Sequence, residues 1–192
     1  MDDTIHSGQL LVATPALADP NFRRTVILLV EHDADEGTLG VVLNRPSEVE
    51  VSNVLPSWAE LARDPAVVFQ GGPVALDSAL CLAALQDTAQ EPLGWRGLEG
   101  SPVAERLGLV DLDAPPEVLA AELSALRIFA GYAGWGEGQL ESEIREGAWY
   151  TVAPEPGDPF AADPEKLWRD VLRRQGGDLA LVATFPEDPS LN

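Results

Sequence analysis

The run Val26-Ile27-Leu28-Leu29-Val30 places an apolar residue at every position. A strand with that pattern needs cover on both faces, which restricts the chain to folds that bury their sheet. A strand is therefore expected over residues 25–31. The polar loop His32-Asp33-Ala34-Asp35-Glu36-Gly37 follows, and residues 38–43 return as a second strand, so the pair reads as a hairpin. Gly40 inside the second strand marks a bulge or a close backbone approach. Asn44-Arg45-Pro46 ends it.

Further strands are expected over 8–13, 66–70, 107–112, 127–132 and 148–153, with Gly71-Gly72-Pro73 a turn by composition. Helical signals cover 52–62 in part, with an interruption at Pro56, and 138–146. Another helix starts at Asp113-Ala114-Pro115-Pro116-Glu117, where proline and acid suit a first turn, and extends to about residue 125. The last helix takes Asp163 as N-cap and Pro164 in its first turn. Leu167, Trp168, Val171 and Leu172 form its apolar face, and Arg173-Arg174 with Gly176-Gly177 mark its end. The apolar segment 79–85 is open between strand and helix, and 86–101 reads as a polar loop, a candidate for mobility or insertion. These elements do not alternate strictly as β-α-β. The expected fold is α/β of the α+β kind: a mixed, partly antiparallel sheet with helices packed on it, one domain over 1–192.

Charge narrows the partners. Twelve Lys and Arg stand against 32 Asp and Glu, a net charge of −20, and every cation but Lys166 is an arginine. Such a chain repels phosphate backbones and anionic membrane surfaces, so neither nucleic acid nor membrane is expected as a direct partner. Cys81 is the single cysteine, which fits a reducing compartment. Met1-Asp2-Asp3 lacks a basic leader region, and the apolar run at 79–85 is far short of the roughly 20 residues of a membrane span. A cytoplasmic location is expected.

Several chemistries lack their residues. There is no G-x-x-x-x-G-K-[ST] loop and no G-x-S-x-G elbow. His6, His32 and Cys81 do not make an ordinary zinc set, so no metal and no cofactor is expected. Cys81 sits within Ala79-Leu80-Cys81-Leu82-Ala83 and reads as a small buried hydrophobe rather than a nucleophile.

The densest stretch is Gly131-Tyr132-Ala133-Gly134-Trp135-Gly136-Glu137-Gly138-Gln139-Leu140-Glu141, between an expected strand and an expected helix. Counting from Gly134, the third glycine of a dinucleotide fingerprint falls on Gln139, and no βαβ unit surrounds it. A tight corner under Tyr132 and Trp135 is one reading, with Trp135 at least half buried and positive φ at one or more of Gly134, Gly136 and Gly138. A ligand site using the amides of the following helix is the other. The hairpin sorts a second set of residues. Arg24, Asn44 and Arg45 fall toward one end, where they either hold a carboxylate or phosphate or pair with acids such as Asp19. Glu31 and His32 fall at the other end, as an acid/base pair or a solvated strand end.

Taken in order, Gly8-Gln9-Leu10-Leu11-Val12-Ala13, Asp19-Pro20-Asn21-Phe22-Arg23-Arg24-Thr25-Val26, Glu31-His32, Gly37-Thr38-Leu39-Gly40-Val41-Val42-Leu43-Asn44-Arg45-Pro46, Gly71-Gly72-Pro73 and the block from Gly131 to Glu141 resemble the AlgH/YqgE-like family of bacterial proteins. Trp149 and the helix carrying Trp168 are similar too. The resemblance implies a compact α/β fold and favours strand over 79–85. It implies little about activity, because the family is largely uncharacterised and its label of transcriptional regulator comes by association with one regulatory locus.

Three functions follow as expectations. The first is a regulatory or binding module for a small anionic ligand or a protein partner, with Arg24, Asn44 and Arg45 supplying charge, Tyr132 and Trp135 an aromatic wall, and Gly136 and Gly138 the start of the helix. The second is an enzyme using Glu31 or His32 as acid/base. The third is a regulator acting on DNA, for which the sequence offers no helix-turn-helix with a basic face. Fluorescence anisotropy with duplex DNA at about 0.15 M salt is expected to show no sequence-selective binding at micromolar protein.

Overall fold

The computed structural model describes residues 4–87, 90–99 and 106–187. Its first three strands are β1 (Leu10–Ala13), β2 (Val26–Asp33) and β3 (Gly37–Val42), joined antiparallel in that order. The apolar run of β2 divides as its pattern requires: Val26, Leu28 and Val30 enter one core cluster, Ile27 and Leu29 another on the opposite face. The β2–β3 register shifts between Leu29 and Glu31, so Val30 is the extra residue of a bulge. Gly40 lies opposite, where an added Cβ would come within 2.6 Å of Ile27 Cγ2.

The middle of the chain supplies β4 (Pro46–Glu50), α1 (Val51–Val54), a 3-10 turn over Pro56–Leu61, β5 (Val67–Gln70), β6 (Val74–Leu85), β7 (Trp95–Gly97) and β8 (Leu107–Val110). The last part supplies α2 (Pro116–Leu119), β9 (Leu123–Trp135), α3 (Gln139–Arg145), β10 (Trp149–Val152), α4 (Leu167–Gln175) and α5 (Gly177–Val182). The strand order is β10-β1-β2-β3-β9-β6-β8-β7, antiparallel throughout. β5 joins β9 in parallel, and β4 pairs with β5. The result is a mixed fold around a curled, mainly antiparallel sheet with several helices. No helix among the described residues is long and apolar enough to cross a membrane.

β9 joins the two parts of this sheet. Along one edge it carries β6; along the other it carries β5 at Phe129 and Ala130, then β3 from Ala133 to Trp135. Helix α4 covers one face with Leu167, Trp168, Val171 and Leu172, the apolar set expected from the sequence. Trp168 also donates its indole N–H to the Ala13 carbonyl at 2.9 Å, fixing α4 on β1. On the opposite face, Leu140 of α3 packs with Trp135 and Trp149, while α1, the 3-10 turn and α2 cover the far part through Val51, Trp58 and Leu119.

Arg127 of β9 is 1% exposed. Its Nη1 donates to the carbonyls of Ala161 at 3.0 Å and Pro159 at 3.3 Å, and its Nη2 to that of Asp64 at 2.8 Å. The guanidinium lies 4.3 Å from the centre of the Phe69 ring. Burial, with some help from Arg63, lowers its pKa to about 10.

Several expectations need correction. The segment read as a loop over 86–101 contains β7, whose Trp95 is buried and donates its indole N–H to Ala83 O at 3.1 Å; residues 88, 89, 100 and 101 lie outside the described residues. The helix expected to reach residue 125 stops at Leu119, because Leu123 and Ala125 pair with Leu85 and Ala84 of β6. The helical spacing of Leu119 and Leu123 is overridden by that pairing. Asp163 makes no side-chain cap; its carboxylate takes Lys166 Nζ at 2.7 Å beside a 3-10 turn that leads into α4. β4, the first residues of β6 and α5 go beyond the expected elements, whereas 79–85 is strand. Cys81 on that strand is buried, and burial pushes its thiol pKa up.

Gly71-Gly72-Pro73 links β5 to β6 by crossing β9 at Gly131. Gly131 has φ +74°, and a Cβ there would lie 2.5 Å from the Gly72 carbonyl oxygen. Gly138 also has positive φ, +70°, but open space surrounds it. Urea unfolding is expected to show a loss of about 1 kcal/mol for Gly138→Ala, from backbone strain alone, and a clearly larger loss for Gly131→Ala.

Candidate functional site

At one end of the β2–β3 hairpin, Asn44 extends the ladder with its side chain. Its Oδ1 accepts the Val26 N–H at 3.0 Å, and its Nδ2 donates to Arg24 O at 2.8 Å. Arg45 donates from Nη1 to Asn21 O at 2.8 Å and from Nη2 to Arg23 O at 3.0 Å, which ties the 19–24 loop to the end of β3. Arg24 has φ +56°, and its guanidinium turns toward the C-terminal part, 4.2 Å over the Trp168 ring with Nη2 donating to Phe185 O at 2.5 Å. The fold therefore gathers Arg24, Asn44 and Arg45 but sends the two guanidinium groups to different surroundings.

Among the described residues neither arginine makes an ion pair within 4 Å. Asp19 instead accepts the Asn21 N–H at 2.9 Å and acts on Arg45 only through space. Burial pulls the pKa of both arginines below the ordinary value, and for Arg24 the neighbouring Arg169 pulls in the same direction.

Arg45 lines a cavity of about 350 Å³ with Asn21, Gln70, Gly72, Leu76 and Ala130 among its walls, and no carboxylate among the described residues lines it. It adjoins a second cavity of about 490 Å³, with which it shares Gln70, Leu76 and Ala130. Val49, Val54 and Leu55 wall that second space, and Asp77 is its one acidic lining residue among those described. Sequence reasoning missed this groove. The one signal in the sequence was apolar residues set among polar ones, Val49 between Glu48 and Glu50 and Leu76 before Asp77.

The opposite hairpin end holds Glu31 and His32, paired in register with Leu39 and Thr38. His32 Nδ1 lies 2.7 Å from Thr38 Oγ1. Both residues line a cavity of about 280 Å³ together with Ser7, Glu36 and Arg96. Glu31 also borders a neighbouring space of about 450 Å³ with Tyr132, Gly134 and Trp135. Tyr132 and Trp135 therefore stand beside Glu31, while the Arg45 cavity reaches β9 at Ala130.

Trp135 is 5% exposed, more buried than the half that its place at the corner required. It stacks on Phe22 at 6.5 Å between ring centres and meets Trp149 edge-on at 6.1 Å. Gly136 N–H donates to Gln139 Oε1 at 3.0 Å, and Gly138, the cap of α3, supplies the positive φ expected of this glycine group. The corner thus consists of a strand that runs through Trp135 followed by a capped seven-residue helix.

Residues 10–180 match the AlgH-like family. A UPF0301 protein of Streptomyces coelicolor is 64% identical over 189 residues, covering 97% of this chain and 95% of its own length. A UPF0301 protein of Mycobacterium tuberculosis is 53% identical over 188 residues, covering 98% and 91%. Among solved structures, a crystal structure of a Corynebacterium diphtheriae protein superposes with a TM-score of 0.88 at 34% identity, covering 95% of this chain and 94% of that one. The solution structure of the AlgH protein from Pseudomonas aeruginosa gives 0.64 at 29% identity, covering 98% and 100%.

Glu143 of α3 lies against the indoles of Trp149 and Trp135, yet its Oε2 and the Trp149 Nε1 are buried without a well-formed hydrogen bond. Burial raises the carboxyl pKa, and the indoles and Gln139 offset this only in part. A raised pKa in the folded state means that stability is lost as pH rises through it. Glu143→Gln is therefore expected to raise the melting temperature at neutral pH, with the gain vanishing on acidification below the ordinary carboxyl range.

Proposed function

The chain belongs to the AlgH-like family, and on that premise we propose that it is a binding module whose site for a small anionic ligand is the Arg45 cavity. One observation carries the reading. In a chain of net charge −20, Arg45 has no ion-paired carboxylate among the described residues and lines a cavity into which none of their carboxylates reaches. The cavities at His32 and at Tyr132, by contrast, each carry Glu31 and Glu36. A half-buried guanidinium without a counter-charge attracts a carboxylate or phosphate, and the Gln70 side chain adds an amide donor. Arg45 also holds the Asn21 and Arg23 carbonyls, so a ligand that draws on its donors competes with the hold on the 19–24 loop. Such coupling gives a binding module a means of regulating a protein partner.

A second reading has its own observation. Glu31 and His32 line a cavity facing Arg96, with His32 Nδ1 engaged by Thr38, which suits Nε2 to acid/base work. A hydrolase substrate screen with Glu31→Gln as control separates this enzyme from the binding module. The label of transcriptional regulator fits either reading only through a ligand or partner.

Isothermal titration with small carboxylates and inorganic phosphate tests the first reading. At least one is expected to bind, and Gln70→Glu, which places a carboxylate in the cavity from an exposed position, is expected to weaken it roughly tenfold or more. Binding that ignores this substitution would assign Arg45 to the loop alone.

A further inference from the structure

We propose that the ligand held at Arg45 is an amphiphile, with an anionic head at the guanidinium and an aliphatic or aryl body lying in the apolar groove over β5 and β9. The inference rests on the reading of the Arg45 cavity as an anion site and names the class of molecule that fills it.

The groove is a gap in the cover of the sheet. Along β9, Ile128 belongs to the core under α1 and the 3-10 turn, and Ala133 and Trp135 belong to the core under α3. Ala130 lies between them, only partly buried, and forms floor to both cavities. Large apolar side chains concentrate on its rim: Val49, Val54 and Leu76 are 46%, 51% and 67% exposed. Side chains of that kind grouped on one concave surface mark a binding groove.

Its chemistry changes along its length. Arg45 and Gln70 offer donors where no carboxylate of the described residues lines the wall, and the other cavity is mainly apolar with Asp77 among its lining residues. An anion is drawn to the Arg45 end and repelled by Asp77, so the complementary occupant has one charged end and one apolar end. An extended peptide fits less well. It would add a strand to a free edge, which β5 in the floor does not offer, being paired with β4 on one side and β9 on the other.

Calorimetric titration with acetate, octanoate and octanol tests the proposal on the wild type, Gln70→Glu and the neutral variant Leu76→Asn. Octanoate is expected to bind roughly tenfold or more tightly than either acetate or octanol, since added buried methylenes and the charge each contribute. Leu76→Asn, a neutral change at an exposed position, is expected to bring octanoate down toward the acetate level while leaving acetate unchanged, and Leu76→Ala to lie between. Equal affinity for acetate and octanoate would overturn the amphiphile and leave the anion site standing. Equal affinity for octanoate and octanol, unchanged in Gln70→Glu, would overturn the anion site and the amphiphile with it. Absence of binding by all three would overturn the amphiphile, and the anion site falls with it where inorganic phosphate fails to bind as well.

Discussion

The guanidinium of Arg127 holds three parts of the chain to one strand. It is buried on β9 and donates to carbonyls of the segment before β5 and of the segment before α4, with the Phe69 ring beneath it. Lysine could not serve: a single ammonium lacks the planar fork that reaches separate carbonyls while lying on a ring. Among the described residues no carboxylate pairs with this charge, and the burial that lowers its pKa is the cost of the arrangement. What it secures is the docking of the C-terminal part on the sheet, from which α4 covers the face carrying Val26, Leu28 and Val30.

The same thin layering creates the groove. Two sets of short elements cover the opposite face, one built from α1, the 3-10 turn and α2, the other from α3 with Phe22 and its neighbours. Neither reaches Ala130. Arg24 and Arg45 stand at the edge of this arrangement with different tasks. Arg24 lies on Trp168 and joins the 19–24 loop to the C-terminal part, and Arg45 faces the uncovered strip.

How much of this is legible in the sequence depends on how far apart the partners lie. Burial of β2 on both faces follows from five adjacent residues, and the α4 face from a spacing within one helix; both appear in the structure as read. The buried Trp135 and a positive φ at Gly138 are also local consequences of a glycine-rich corner. The end of α2 escapes a local reading because Leu123 answers to Leu85 rather than to Leu119. Trp95 is hidden in a polar segment because its partner is the Ala83 carbonyl on another strand. The groove is least legible of all: Arg45, Gln70, Leu76 and Ala130 come from four separate stretches, and no pattern in any one of them announces a shared cavity.

The position of β9 in the chain bears on how the protein is made. Its strand partners β3, β5 and β6 all precede it, and the closing pieces β10 and α4 follow. A ribosome therefore delivers the partners first, each with an edge that the missing strand will fill. Until Leu123 to Trp135 has left the exit tunnel, those edges and the apolar faces beside them are open to other chains. Delay at this point in translation exposes the nascent protein most, which makes the stretch just before β9 the interval in which a chaperone has the most to protect.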